Sequence, residues 1–206
     1  MKVIQTAGFA TLMLCAFNSH AHMLWLEQPD AQTVRAYFGE YAESLSETQQ
    51  GPLKSFNAAV ATQDKNTYKP QVQEKFIEYK VKGTGDVRVQ QDLLHGEMLA
   101  QFRAKTGRSS TQPVAEFEIV PTQANGNQFT VYFQGKPLAK QEVEVVADNR
   151  WTQKFYTNEQ GQFTINTPWK GQYVLEAGKP VEEAGQFQAK PYKTKYLVAT
   201  LSFNVQ

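Results

Sequence analysis

Apolar and polar residues alternate with a period of two through most of the chain, and helical spacing is rare. This alternation is typical of β-strands that turn one face toward a core. Short strands separated by turns indicate an all-β fold built from β-sandwiches. The pattern predicts twelve strands, at residues 23–27, 33–38, 74–80, 86–91, 99–105, 115–120, 128–133, 142–147, 151–157, 162–167, 171–176 and 195–205.

The clearest boundary in this pattern is a run of turn-forming residues at 121–127. It predicts two consecutive β-sandwich domains, residues 22–122 and residues 123–206. In the second domain, the turn signals at 133–138, 157–163 and 169–173 recur in transthyretin-like and immunoglobulin-like β modules. The segment 157–163, with Asn158 and Gly161, predicts a β-hairpin.

Two segments interrupt the alternation. Residues 40–72 are polar and contain Gly51-Pro52 and Lys69-Pro70, which indicates an Ω-type loop or a lid, with a short helix over 42–49. Residues 107–113 are rich in serine and threonine and predict a mobile loop.

The first 21 residues predict a cleaved secretory signal. A single cation, Lys2, precedes an apolar run, and Ser19 and Ala21 supply the small residues that signal peptidase requires. The predicted cut after Ala21 makes His22 the first mature residue, and the short signal fits export to a bacterial periplasm.

Charge and cysteine content exclude several classes of function. The chain has 21 Lys and Arg against 20 Asp and Glu, and Lys2 is the only charged residue of the signal, so the mature chain is balanced. We therefore expect no nucleic-acid partner. After the signal no apolar run is long enough to span a membrane. The single cysteine, Cys15, leaves with the signal, so disulfides and thiolate chemistry are not expected.

The predicted new N-terminus carries the most specific chemistry. A free N-terminal histidine offers an α-amine and an imidazole nitrogen from one residue, and the amine loses its proton at little cost when it binds a metal near neutral pH. Such nitrogens suit copper, nickel and zinc. The alternative is that His22 simply begins a strand.

His95 is the other histidine of the mature chain and the second candidate ligand. With the amine and imidazole of His22 it would complete a three-nitrogen site suited to Cu(II). Glu97 is a candidate carboxylate ligand, although a charged turn residue is usually just solvated. Further oxygen donors at unknown distance are Glu27, Glu40 and Asp92.

Other chemistry finds less support in the sequence. The chain has no cysteine after the signal and no Gly-x-Ser-x-Gly elbow, so no nucleophile with its base is evident. Trp151, Trp169 and Tyr173 form either an aromatic platform for sugars or ordinary core residues.

Several short motifs occur in an order and spacing that resembles the NikM-like periplasmic family, which is related to the substrate-specific region of nickel-uptake systems. The motifs are HMLWLE at 22–27, RAYFGEY at 35–41, FQGKPL at 133–138 and ATLSF at 199–203. The resemblance implies a two-part β protein, without enzymatic activity, that is associated with transition-metal uptake, and it points to His22.

From these observations we expect an exported protein that binds copper or nickel through His22, with His95 and Glu97 as further ligands. The main alternative is an interaction module that docks on a membrane transporter or an outer-membrane receptor and binds no metal. A copper-dependent oxidative enzyme is a third reading of the same site.

Overall fold

The computed structural model describes residues 22–83 and 85–206, and the predicted signal peptide and its cleavage site lie outside these ranges. The described residues form nineteen β-strands and one 3-10 helix, Pro52–Phe56. The prediction of an all-β sandwich fold is confirmed. Each of the twelve predicted strands overlaps an observed strand.

The strands before the predicted boundary are β1 to β9. They are β1 (Met23–Asp30), β2 (Thr33–Glu40), β3 (Leu45–Ser46), β4 (Ala61–Gln63), β5 (Asn66–Tyr68), β6 (Gln71–Val72), β7 (Ile77–Lys80), β8 (Val87–His95) and β9 (Met98–Thr106).

Ten further strands follow. They are β10 (Phe117–Pro121), β11 (Gln128–Phe133), β12 (Lys136–Pro137), β13 (Glu142–Ala147), β14 (Thr152–Tyr156), β15 (Gln162–Thr164), β16 (Gly171–Val181), β17 (Gly185–Phe187), β18 (Lys190–Tyr192) and β19 (Thr194–Val205).

A central sheet of eight strands organises the molecule, in the order β14-β13-β16-β19-β9-β8-β4-β5. One outer sheet has the order β1-β2-β7-β6, with β3 also paired to β2, and a second outer sheet has the order β10-β11-β12, with β15 paired to β11. Strands β17 and β18 form a separate hairpin.

Both faces of the central sheet are covered, and the period of two sends alternate residues into two cores. In β13, Val146 packs in the first core, beneath the first outer sheet, and Val145 packs in the second. In β19, Val198 belongs to the first core and Leu197 and Ala199 belong to the second. This arrangement explains why β19 reads as a nearly continuous apolar run.

Polar side chains of β19 also fasten the first outer sheet to the central sheet. The buried hydroxyl of Thr200 donates a 2.6 Å hydrogen bond to the carbonyl oxygen of Leu24, and Ser202 donates to the carbonyl oxygen of Leu26. Both residue numbers increase by two from the first bond to the second, so β1 and β19 run in the same direction where they pack together.

The central sheet continues across the predicted domain boundary at 122/123. Strand β19 pairs in parallel with β9 from Thr194↔Met98 to Ser202↔Thr106. The separation of the chain into two folding units stays a prediction.

Two local predictions are wrong. Turns and β3 replace the predicted helix over 42–49. Ser44 has a φ of 56°, which a right-handed helix does not allow. The Glu47 amide donates a hydrogen bond to the Phe38 carbonyl oxygen, and this bond and the β2–β3 pairing hold the segment against β2. The predicted hairpin at 157–163 is instead a turn between sheets: β14 pairs with β13, whereas β15 pairs with β11.

Candidate metal centre

The hairpin of β1 and β2 places His22 beside Glu40. Met23 pairs with Gly39, so the register extended by one residue sets position 22 opposite position 40. Directly opposite residues of an antiparallel pair point to the same face. That face is turned toward the central sheet, because the ring of Phe38 lies 5.3 Å from the ring of Phe102.

The imidazole of His22 contacts two carboxylates. Its Nδ1 atom lies 3.6 Å from Glu40 Oε1, and its Nε2 atom lies 2.7 Å from Glu47 Oε1. The ring also packs on Phe38, with 5.4 Å between the ring centroids. Because the side chain of His22 is 35% exposed, the site is open to an ion from solvent.

Glu47 reaches this site through the short strand that replaces the predicted helix. Leu45 and Ser46 pair with the end of β2, and the Glu47 amide donates a 2.8 Å hydrogen bond to the carbonyl oxygen of Phe38. The segment 40–72 therefore contributes a side chain to the centre.

The central sheet adds carboxylates on the side facing Glu40. Glu144 and Glu176 are paired residues of β13 and β16. Burial, together with the negative charges of Glu144 and Glu40, raises the pKa of Glu176 to about 8. Burial and the neighbouring negative charges therefore disfavour the ionised form of Glu176.

His95 and Glu97 lie elsewhere. Both are exposed residues at the β8–β9 turn, and Glu97 Oε2 pairs with Lys193 Nζ at 2.7 Å. His95 pairs with Met98 in β9. His22 and Phe38 lie near Phe102, which is four residues farther along the same strand. Four residues of a strand span about 13 Å. The structure therefore does not bring these two predicted ligands to His22.

The remaining oxygen donors named from the sequence are occupied. Glu27 Oε1 accepts a 3.3 Å hydrogen bond from the indole of Trp25. Asp92 pairs with Arg103 at 2.6 Å and accepts a hydrogen bond from Gln101. Only Glu40 of this group lies beside His22.

Within residues 22–83 and 85–206, no three histidine, cysteine, aspartate or glutamate side chains are already spaced to hold one metal ion. The two ring nitrogens of His22 face different carboxylates, so one nitrogen and one carboxylate are available on each side. A chelate through Nδ1 would add the α-amine of His22, which the predicted cleavage would free.

Sequence reasoning missed Glu47, Glu144 and Glu176. A hairpin register counted from the Ala31-Gln32 turn would have set position 22 opposite Tyr41, because Asp30 pairs with Thr33. An irregularity between Glu27 and Asp30 shifts this register by one residue and brings Glu40 into place. The sequence carries no evident signal for this shift.

Most of the chain matches a known protein family. Residues 19–179 match the family described as domain of unknown function (DUF4198). No curated protein matches the chain. In the ranges that the structure describes, none of the helical segments has the length and apolarity needed to cross a membrane.

Proposed function

Because the chain belongs to the DUF4198 family, whose description assigns no activity, we propose from its own residues that it is an exported, transition-metal-binding protein. His22, freed by cleavage after Ala21, is the principal ligand. The metal is copper or nickel, and the role is its uptake or handling in the periplasm rather than catalysis.

The observation that carries this proposal is the 3.6 Å separation of His22 Nδ1 and Glu40 Oε1 at the start of β1. In an N-terminal histidine, the α-amine and Nδ1 are the pair that can chelate one ion. The carboxylate of Glu40 stands on the same side of the ring and supplies a third donor. Amine, imidazole and carboxylate donors suit Cu(II) and Ni(II), and Cu(II) binds most tightly in the divalent series.

The second ring nitrogen has a supporting role in this arrangement. Glu47 Oε1 lies 2.7 Å from His22 Nε2, so the ring can donate its Nε2 proton to Glu47 while Nδ1 remains free for the metal. Such a carboxylate partner fixes the tautomer and the ring orientation of a metal-binding histidine.

The resemblance of the chain to NikM-like proteins agrees with this function. It suggests an accessory protein that delivers its metal to a membrane transporter or an outer-membrane receptor. In this proposal the chain itself binds the metal. The alternative function, a module that docks on such a partner, needs no metal site.

Titration of the exported, processed protein with Cu(II) and Ni(II), followed by calorimetry and EPR, tests the proposal. We expect His22→Ala to abolish the tight phase and Glu40→Gln to weaken it by about 10- to 100-fold. His95→Ala is the matched control, a histidine outside the site, and should leave the affinity unchanged.

Equal affinity in His22→Ala and the parent protein would contradict the proposal and favour the docking module that binds no metal. Loss of binding in His95→Ala would instead restore the two-histidine site predicted from the sequence. Metal-dependent turnover of peroxide or a reductant would favour the oxidative enzyme.

A further inference from the structure

A cleft lies at the open edge of the second core, and its lining contains none of the residues around His22. Its volume is about 290 Å³, close to the lower end of small-molecule sites. One wall is β14, the edge strand of the central sheet, and the other is the segment after β15. The lining residues are Trp151, Gln153, Phe155, Thr164, Asn166, Pro168 and Trp169.

Two tryptophans form the apolar part of this cleft. Their ring centroids are 5.1 Å apart and the ring planes meet at 55°, so the indoles make an angled wall instead of covering each other face to face. Trp169 is 38% exposed, which is unusual for so large an apolar side chain. An exposed indole of this kind is a common anchor for a ligand.

The backbone of this wall is held in place before any ligand arrives. The fully buried Tyr173 accepts a 3.1 Å hydrogen bond from the Trp169 amide and donates a 3.2 Å hydrogen bond to the Trp169 carbonyl oxygen. Asn127 accepts from the Ile165 amide and donates to Thr167 Oγ1, each at 3.1 Å. Binding therefore costs little ordering of the segment 165–169.

The polar part of the lining is neutral. Gln153, Thr164 and Asn166 are exposed, and their amides and hydroxyl both donate and accept hydrogen bonds. Lysine, arginine, aspartate and glutamate are all missing from the lining residues. A charged ligand would lose hydration here without gaining an opposite charge.

We propose that this cleft binds a neutral saccharide, with a sugar ring packed on the Trp151–Trp169 wall and its hydroxyls bonded to Gln153 and Asn166. The apolar C–H face of a pyranose matches an indole, and its hydroxyl edge matches side-chain amides. The site uses none of the residues of the candidate metal centre, so it stands independently of the proposed function.

The test uses the full mature chain and three neutral probes: maltotriose, cellotriose and triacetylchitotriose. Tryptophan fluorescence and saturation-transfer NMR would measure binding up to about 10 mM, a weak-affinity range. We expect at least one probe to bind, and Trp169→Ala and Asn166→Ala to weaken it about tenfold or more, the effect of losing about 1.4 kcal/mol.

Tyr156→Ala is the matched control. Tyr156 is an exposed aromatic residue of the same strand, but it points to the opposite face of β14 from Gln153 and Phe155. This variant should bind the saccharide like the parent, and thermal unfolding monitored by circular dichroism would show that all variants are folded. His22→Ala should also bind normally, which separates this test from the metal site.

Three results would overturn the proposal. They are the absence of binding by all three probes, unchanged binding in folded Trp169→Ala, and an equal loss of binding in Tyr156→Ala. If a peptide binds along the edge of β14 and the neutral saccharides do not, the cleft is a protein-docking site.

Discussion

At the scale of single residues, Glu176 departs most from its expected surroundings. In the sequence it alternates with Leu175 and Ala177, which places it on the face opposite a core. In a two-layer sandwich that face would be solvated. Here the first outer sheet covers it, because the central sheet has a core on each side, and the pKa of Glu176 rises to about 8.

This raised pKa predicts a loss of stability with rising pH. Between pH 4.5, the usual pKa of a glutamate, and the raised pKa of about 8, Glu176 holds a proton in the folded protein that it lacks in the unfolded chain. The stabilisation is complete below pH 4.5 and is lost as the pH rises through about 8. Its size is of the order of a few kcal/mol.

Glu176→Gln removes this titration, so its free energy of unfolding should fall less than that of the parent between pH 5 and pH 9. Urea unfolding in the presence of a chelator would measure both curves. Glu159→Gln, at an exposed carboxylate, is the control and should follow the parent. Parallel curves for Glu176→Gln and the parent would contradict this account.

At the scale of elements, the alternation of apolar and polar residues predicts the long strands but few of the short ones. All twelve predicted strands are present, whereas β3 to β6, β12, β17 and β18 were missed, because strands of two or three residues carry little alternation. Strand β15 is equally short, but it lies in the longer alternating run 162–167. The missed strand β3 positions the following residue, Glu47, beside His22. The register of β1 on β2 also depends on one local irregularity, so the carboxylate partners of His22 were only partly predictable.

The segment 107–116 shows how a loop without regular structure is fixed. Asp86, buried beside it, accepts hydrogen bonds from the Ser109 amide and hydroxyl and from the Ser110 amide, and it lies 3.2 Å from Lys105 Nζ. Burial opposes ionisation of Asp86, but Lys105 and these donors outweigh it and hold its pKa below the usual value.

Asp86→Ala should therefore destabilise the protein by about 3–5 kcal/mol, because it leaves Lys105 buried without its closest partner and frees the loop. Chemical unfolding at neutral pH would measure the loss. Glu159→Ala breaks the exposed pair with Lys140 and should cost less than about 1 kcal/mol. Similar costs in the two variants would show that Asp86 does not fix the loop.

At the scale of the whole molecule, the central sheet joins the two halves. Strand β19 lies between β16 and β9 and has apolar residues in both cores. The sequence indicated the turn at 121–127, but a parallel pairing of residues about a hundred positions apart leaves no local pattern. The prediction of two consecutive domains rested on this turn and on the turn signals of the second half.

This shared strand predicts that the two cores unfold together. Differential scanning calorimetry of the mature chain should show one transition, with calorimetric and van't Hoff enthalpies that agree. Val198→Ala, which acts in the first core, should lower the midpoint without splitting the transition. Two resolved transitions would contradict this expectation and favour two domains that unfold separately.

The central claim is that cleavage turns His22 into a chelating residue, and a pair of proteins that differ only at the His22 amine tests it most directly. Both begin at His22, one with a free amine and the other with that amine acetylated, and intact mass would verify each. We predict tight Cu(II) binding, with an EPR spectrum of nitrogen and oxygen ligation, only in the protein with the free amine. Equal Cu(II) affinity and identical spectra in the two proteins would contradict the account.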